Sequence, residues 1–166
     1  LLQTGRLSMI QTVQRTYRPD DNALLISIEN GMATAYIQDL SHDVKRGMRG
    51  KFERGWHACK APIGYKNDKN TREIVADPER FDIVRGAWDM LLGGGYSVTK
   101  IHAHLTRVGL TVSNKRREPG PVSLSAVFNI FKNPFYTGLV QFKGESKQGK
   151  HPAMVTLDEF ERAQKI

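Results

Sequence analysis

The chain has 166 residues, 39% of them hydrophobic and 25% charged, which is typical of a soluble globular protein and excludes a disordered one. No apolar run approaches the roughly eighteen residues of a membrane span, so no membrane partner is expected. The formal net charge of +8 favours a polyanionic partner, with nucleic acid as the first candidate. The single cysteine excludes an internal disulfide, and we expect a reducing, cytoplasmic location.

The basic residues are unevenly distributed along the chain. Residues 45–60 carry six basic residues against one acid, while residues 77–90 are mainly acidic. Two further basic segments cover residues 100–117 and 132–150. Such one-sided clustering is typical of proteins that bind a polyanion, and the alternative is ordinary solvated surface.

A long helix is predicted from about residue 22 to about residue 53. It follows an extended segment that ends at Pro19, and the good capping residues at its start are Asp20, Asp21 and Asn22. Apolar residues recur every four positions, at Ile28, Met32, Tyr36, Leu40, Val44 and Met48. This stripe winds around a helix, because four residues exceed one turn by about 40°. The alternative is two shorter helices, broken at Gly31 or Gly47.

The middle of the chain predicts a hairpin followed by two helices. Ile63–Tyr65 and Glu73–Val75 have the character of short strands around a polar turn. Asp77 and Pro78 predict the start of a helix over residues 78–92, which the glycines at 93–95 end. Its apolar face is expected to consist of Phe81, Val84, Trp88, Leu91 and Leu92.

The next helix is predicted over residues 98–108, after the capping residue Ser97 and before Gly109. Its inner face is expected to consist of Val98, Ile101, Leu105 and Val108. Residues 110–122 are predicted to form a polar, basic loop with one short strand at most.

A further helix is predicted over residues 124–132, capped by Ser123 and ended by Asn133 and Pro134. Strands at Leu139–Lys143 and Ala153–Val155 are expected to flank a basic loop. Thr156 and Glu159 predict a capping box for a last helix.

The helices 98–108 and 124–132, followed by a hairpin, have the order of a helix-turn-helix with a wing. Turning Leu124, Val127, Phe128 and Phe131 inward would leave Ser125, Ala126, Asn129 and Lys132 outward. Asn pairs well with adenine, and Lys reaches guanine or phosphate. The alternative is an ordinary amphipathic helix pair, which the long connection between the helices favours.

Catalytic and metal-binding patterns are not expected in this sequence. His57 and Cys59 are two residues apart, as are His102 and His104, and on a helix such positions point to different sides. No nucleophile elbow, dinucleotide-binding glycine pattern or phosphate-binding loop occurs. We therefore expect no metal, no cofactor and no catalytic residue in the chain.

Five segments in order resemble the large serine recombinases, the site-specific integrases of transposons and phages. They are LISIENGMATAYIQDLSHDVKRGMRGKFERGW, APIGY, DPERFDIVRGAWDMLLGGGYSVTKIHAHLTRVGL, VSLSAVFNIFKNPFYTG and GKHPAMVTLDEF. The second resembles a Pro-x-Gly-Tyr pattern of the family, and the fourth its Asn-Pro-x-Tyr-x-Gly pattern. The tyrosine-x-arginine-x-serine pattern with the catalytic serine has no counterpart here, nor have the zinc-ribbon cysteines.

The resemblance implies the middle of a recombinase: the end of a catalytic domain in residues 1–21, a long linker helix in 22–56 and a DNA-binding recombinase domain in 57–166. The expected fold is α+β and mainly helical, with a helix-turn-helix or winged-helix-like domain and small β-hairpins. The family joins DNA through a phosphoserine link without a high-energy cofactor, and it works as a dimer or tetramer. The chain itself, which does not begin with Met, is expected to be a fragment that lacks the nucleophile.

The expected function is therefore duplex DNA binding at attachment sites, in the service of strand exchange. We expect the DNA-binding residues to be Lys45, Arg46, Arg49, Lys51, Arg54, Lys60, Lys115, Arg116, Arg117, Ser125, Asn129, Lys132 and Lys143. The glycines at 47, 50 and 55 would let the backbone approach or follow the duplex. A non-catalytic DNA-binding regulator is the second candidate, and an RNA-binding or purely structural basic module is the third.

Overall fold

The computed structural model describes residues 6–12, 16–18, 23–71, 73–114 and 117–166. In these ranges the chain is mixed α+β, with five α-helices, a short 3-10 helix and four separate two-stranded antiparallel hairpins. The chain divides into two compact units, residues 1–47 and residues 48–166. The mixed, mainly helical class predicted from the sequence is confirmed.

The first unit holds a small hairpin and most of the long helix. Strands β1 (Ile10–Gln11) and β2 (Thr16–Tyr17) pair, and the Tyr17 hydroxyl donates a 2.7 Å hydrogen bond to the Glu29 carboxylate. The predicted capping residues Asp20, Asp21 and Asn22 lie outside the described residues, as does Pro19. The apolar stripe is exposed to solvent, at Ile28, Met32, Tyr36, Leu40 and Val44.

Helix α1 (Ala23–Glu53) is one continuous helix, so the alternative of two shorter helices is wrong. It passes through Gly31 and Gly47, and a methyl group added at either glycine would meet no atom within 4 Å beyond its chain neighbours and the backbone of the helix itself. A glycine inside a helix costs about 1 kcal/mol relative to alanine, which weakens a long helix without ending it.

The second unit begins with the end of α1 and continues into a hairpin and a helix. Strands β3 (Tyr65–Asn67) and β4 (Ile74–Ala76) form the predicted hairpin, shifted by one or two residues. Helix α2 is Phe81–Leu92, and the prediction that it starts at Pro78 is wrong. The Asp77 carboxylate accepts a 3.2 Å hydrogen bond from the Glu79 amide, which closes a turn before the helix.

Helix α3 (Val98–Arg107) is capped as predicted, because the Ser97 side chain accepts from the Lys100 amide. Ile101 and Leu105 are fully buried, but Val108 is 48% exposed and does not belong to the inner face. The segment predicted as a loop is a hairpin, β5 (Thr111–Asn114) with β6 (Arg117–Pro121). Its base is closed by the Val122 amide, which donates to the Leu110 carbonyl at 3.1 Å.

Helix α4 (Leu124–Lys132) begins at the Ser123 cap as predicted, but its buried face differs from the prediction. Val127, Ile130 and Phe131 are buried, while Leu124 is 37% and Phe128 is 42% exposed. Phe131 fills the core by packing edge-on against Trp88, with ring centroids 5.1 Å apart. The helix is therefore rotated from the predicted orientation, toward burial of Ile130.

A 3-10 helix (Pro134–Thr137) follows, started by the Asn133 side chain, which accepts from the Phe135 amide at 3.0 Å. Strands β7 (Leu139–Phe142) and β8 (Glu145–Gln148) then pair around the turn Lys143-Gly144. Both turn residues have positive φ, 49° and 87°, as a two-residue type I′ turn requires.

The strand predicted at Ala153–Val155 is wrong, since β8 lies in the segment that was predicted as a loop. Met154 and Val155 instead donate their amides to the Tyr136 carbonyl, at 2.8 and 3.1 Å. Helix α5 (Leu157–Ala163) has the predicted capping box of Thr156 and Glu159.

Arg85 joins α2 to α5 through a two-pronged ion pair with Glu159. Its guanidinium donates to both carboxylate oxygens, at 3.1 and 2.7 Å, and also to the Met154 carbonyl at 2.8 Å. The Arg85 hydrogen bonds lower the pKa of Glu159 to about 2, with help from the Thr156 amide. Both side chains are partly buried, so water screens this pair less than an exposed one.

We expect Glu159→Gln to lower the free energy of unfolding by about 1–3 kcal/mol at neutral pH, because a charged, two-pronged hydrogen bond is lost. The pKa of Glu159 is lower in the folded chain than in the unfolded chain. The stabilisation is therefore complete above the ordinary carboxyl pKa and is lost as the pH falls toward about 2. Urea unfolding at several pH values measures both effects. The exposed Glu161→Gln on the same helix is the control, and an equal loss in both variants would contradict the role of the pair.

Two histidines enclose the Phe135 ring. His151 stacks on it with ring centroids 3.6 Å apart, and its Nε2 lies 2.7 Å from the Phe135 carbonyl oxygen. His57 meets the same ring edge-on at 4.9 Å. Burial lowers the pKa of both histidines, and the neighbouring His151 lowers the pKa of His57 further.

We expect the free energy of unfolding to fall as the pH is lowered from about 7.5 to about 5. Each histidine has a lower pKa in the folded chain, so below the ordinary histidine pKa the unfolded chain binds more protons. The stabilisation is therefore complete above the ordinary histidine pKa, and it is lost as the pH falls below that value toward the lower pKa of the folded chain. Urea unfolding of the wild type and His57→Gln checks this, and the variant should show the smaller loss. An equal loss in both proteins would exclude His57 as a source.

Candidate nucleic-acid interface

The C-terminal end of α1 is fixed by a glycine and by the hairpin β7–β8. Gly55 has φ of 75°, and around it Gly55 donates to the Phe52 carbonyl and Trp56 to the Lys51 carbonyl. This paired pattern is a Schellman motif, which needs a left-handed residue just after the helix. The Phe52 ring packs on Phe142 of β7 with centroids 5.9 Å apart.

Two hydrogen bonds add to this anchor. The Lys147 ammonium donates to the Glu53 carbonyl at 2.6 Å, and the Lys150 amide donates to the Gly55 carbonyl at 3.0 Å. The end of α1 and the hairpin therefore present their basic side chains from one packed surface. We name these exposed residues the helix–hairpin cluster: Arg49, Lys51, Arg54, Lys143, Lys147 and Lys150.

The cations of the helix–hairpin cluster are unequally available to a ligand. Arg49 already pairs with two carboxylates, those of Glu53 at 3.1 Å and Glu145 at 3.6 Å. Exposed pairs of this kind contribute at most about 1 kcal/mol, so an incoming phosphate can replace them. Arg54 and Lys150 lie over the Trp56 ring, at 5.1 and 5.7 Å from its centroid.

Lys45 and Arg46, the first two residues of the basic segment 45–60, belong to the first compact unit, residues 1–47. Lys45 is exposed, and Arg46 donates to the Asp43 carboxylate at 2.9 Å. Both lie on α1 before the division after Gly47. The contacts between the end of α1 and the hairpin β7–β8 come instead from Arg49 and later residues.

A second candidate surface is the exposed face of α4. Its side chains are Leu124, Ser125, Phe128, Asn129 and Lys132. With about 100° per residue, these five positions fall within an arc of about 140°. Ser125, Asn129 and Lys132 are exposed, as predicted, whereas Ala126 is half-buried.

Lys60 and Asn129 line the same groove, which has a volume of about 320 Å³. The groove lies between α4 and the segment 57–63, and the remaining lining residues include His57, Ile63, Asn133 and Tyr136. Since residue 56 contacts the helix–hairpin cluster, the segment that follows it leads directly to the groove. The structure thus brings together two residues that the sequence predicts separately.

Other predicted residues are not brought together in this way. Lys115 and Arg116 lie outside the described residues, and Arg117 is described only by its place at the start of β6. Lys143 belongs to the helix–hairpin cluster, at the turn of the hairpin.

The sequence prediction omitted two lysines of the helix–hairpin cluster, Lys147 and Lys150. It also omitted Trp56, whose ring lies under Arg54 and Lys150. The lysines lie in a segment whose basic charge was visible, but it was predicted to be a loop. Trp56 follows closely after the basic residues, and an aromatic residue beside several cations indicates a cation–π contact.

Among the described residues, no group of three His, Cys, Asp or Glu side chains could hold a metal ion. No helix in that part of the chain is long and apolar enough to cross a membrane.

Comparison with solved structures shows a shared fold. A crystal structure of an LSR–DNA complex matches with a TM-score of 0.56 and 20% identity, over 72% of this chain and 38% of that one. A structure concerned with the sequence requirements of the Listeria innocua prophage attP site matches with a TM-score of 0.55 and 20% identity, over 72% of this chain and 50% of that one. The chain therefore spans half or less of these relatives.

No curated protein matches the sequence. The Recombinase family profile matches residues 78–166, from the turn before α2 to the residues that follow α5. This segment holds α4 and the hairpin β7–β8, and it is more than half of the chain. The chain therefore belongs to the Recombinase family.

Proposed function

We propose that this chain binds duplex DNA at attachment sites, as part of a site-specific serine recombinase that exchanges DNA strands. The observation that carries the proposal is a basic surface and a hydrogen-bonding helix face within one compact unit of the Recombinase family. One of the solved structures with the shared fold is an LSR–DNA complex, which supports DNA as the ligand.

The two surfaces suit different parts of a duplex. The helix–hairpin cluster offers long, exposed cations, which fit the evenly spaced phosphates and carry no sequence information. The face of α4 offers a hydroxyl, an amide and an ammonium, which can pair with base edges in the major groove. In this proposal α3 and α4 act as a helix-turn-helix pair, with α4 as the reading helix and β7–β8 as the wing.

The proposal divides the chain as the sequence predicts. Residues 1–21 would end a catalytic domain, residues 22–56 would be the linker helix, and residues 57–166 would be the DNA-binding domain. The serine nucleophile and the contacts that form a dimer or tetramer would belong to the rest of the protein. A protein with this proposed function would act in the cytoplasm, at the nucleoid.

We expect the chain to bind random-sequence duplex DNA with a strong salt dependence, which Lys51→Gln with Lys150→Gln should reduce. Each phosphate contact contributes about 0.9 to the slope of log affinity against log salt, so losing two contacts should lower it by about 2. Fluorescence anisotropy at several salt concentrations measures the slope.

The matched control is Arg162→Gln with Lys165→Gln, which removes the same charge from exposed positions at the end of the chain. If both double variants lower the slope equally, net charge rather than the helix–hairpin cluster controls binding. Absence of duplex binding by the folded chain at low salt would contradict the proposed function itself.

We expect Asn129→Ala to weaken binding to a duplex selected from a random library by about fivefold to a hundredfold, because a base-reading amide is lost. Binding to unselected duplex should change little, since that depends on phosphates. Asn67→Ala, at an exposed position on β3, is the control. Equal weakening on selected and unselected duplexes would show that Asn129 does not read sequence.

A further inference from the structure

Two large apolar side chains stand on the exposed face of α4. Leu124 and Phe128 are one turn apart, and more than a third of each side chain is accessible to solvent. The core does not need either of them, because Val127, Ile130 and Phe131 fill the buried side of this helix. Single exposed apolar residues are common, but this pair lies on the same face as the three polar residues assigned above to base edges, directly beside them.

Phe128 lies on the Leu124 side of the exposed face, next to Lys132. With about 100° per residue, it follows Leu124 by about 40° around the helix axis and precedes Lys132 by about 40°. Ser125 and Asn129 lie further round, by about 60° and 100° from Phe128. The apolar pair and the polar residues thus share one arc of about 140°, and a duplex that covers this whole arc meets both the ring of Phe128 and the amide of Asn129.

The major groove offers one apolar group to such a ring. Each A·T pair presents the C5-methyl group of thymine there, whereas a G·C pair presents only donors and acceptors. The same A·T pairs present the adenine edge that suits Asn129. The apolar and the amide side chains of α4 thus favour the same kind of base pair.

We propose that Phe128, with Leu124 beside it, is a specificity-determining residue that contacts thymine methyl groups in the major groove. Contact with the methyl groups makes the domain prefer A·T pairs where α4 meets the groove. This inference rests on the proposed function, because it requires α4 to lie in the groove.

The test compares two fluorescent duplexes that differ only in methyl groups. One alternates adenine and thymine, and in the other deoxyuridine replaces every thymidine, so the phosphates and base pairing are unchanged. The wild type should bind the thymine duplex about fourfold more tightly for each methyl group buried. Phe128→Gln should lose most of the preference for the thymine duplex, while Phe128→Leu should keep most of it.

Leu124 has a matched control in Leu157. Each is an exposed leucine that directly follows a capping residue, Ser123 on α4 and Thr156 on α5. Leu124→Ala should reduce the preference for thymine, and Leu157→Ala should not. Thermal unfolding of each variant separates a loss of contact from a loss of fold.

The outcomes distinguish this inference from the proposed function. If the wild type binds both duplexes with the same strong salt dependence, DNA binding stands and the inference is overturned. If it binds neither, the proposed function fails first. Phe128 also lines a cavity of about 300 Å³ with Tyr96 and Ile166. Equal weakening on both duplexes by Phe128→Gln and Tyr96→Ala would mean that Phe128 serves this cavity, and it would overturn the inference.

Discussion

Tyr136 is the residue on which the arrangement of the second unit depends. Its carbonyl accepts the amides of Met154 and Val155, and its hydroxyl donates to the Ile63 carbonyl at 2.8 Å. Its ring packs against Trp88 with centroids 5.9 Å apart. Burial raises the pKa of the hydroxyl, so it remains a donor at physiological pH. One residue, through its side chain and its backbone carbonyl, thus ties the segment before the β3–β4 hairpin to α2 and to the chain that precedes α5.

The position of Tyr136 also shapes the candidate interface. Its hydroxyl holds Ile63, and the segment 57–63 that contains Ile63 forms one wall of the groove. Helix α4 forms the other wall. Asn133 and Pro134 place the tyrosine by ending α4 and starting the 3-10 helix in which it lies. Residues 133–136 therefore fix both the end of α4 and the distance to the opposite wall of the groove. A change that frees the hydroxyl from Ile63 would leave a buried donor unpaired, which costs about 1–3 kcal/mol.

Local signals in the sequence were sufficient for most of the elements. Ser97, Ser123 and Thr156 each cap the helix that was predicted after them, because such a cap involves only neighbouring residues. Pairing between strands was less predictable. Residues 145–148 are polar throughout and gave no strand pattern, yet they pair with β7 because Lys143 and Gly144 form a tight turn. The contact between Lys147 and Glu53 depends on that strand pairing, so the sequence alone did not predict it.

The orientation of α4 was the least predictable feature of the candidate site. Six of its nine residues are apolar, at positions 124, 126, 127, 128, 130 and 131, so they occupy more of the helix than the core can cover. A periodic pattern identifies a buried face only when the opposite face is polar. Here Trp88 selects Phe131, and the neighbouring Phe128 is left toward solvent. The apolar periodicity of α4 could not show which of its two phenylalanines is buried. Packing on Trp88 buries Phe131, and it leaves Phe128 exposed, where a ligand can reach it.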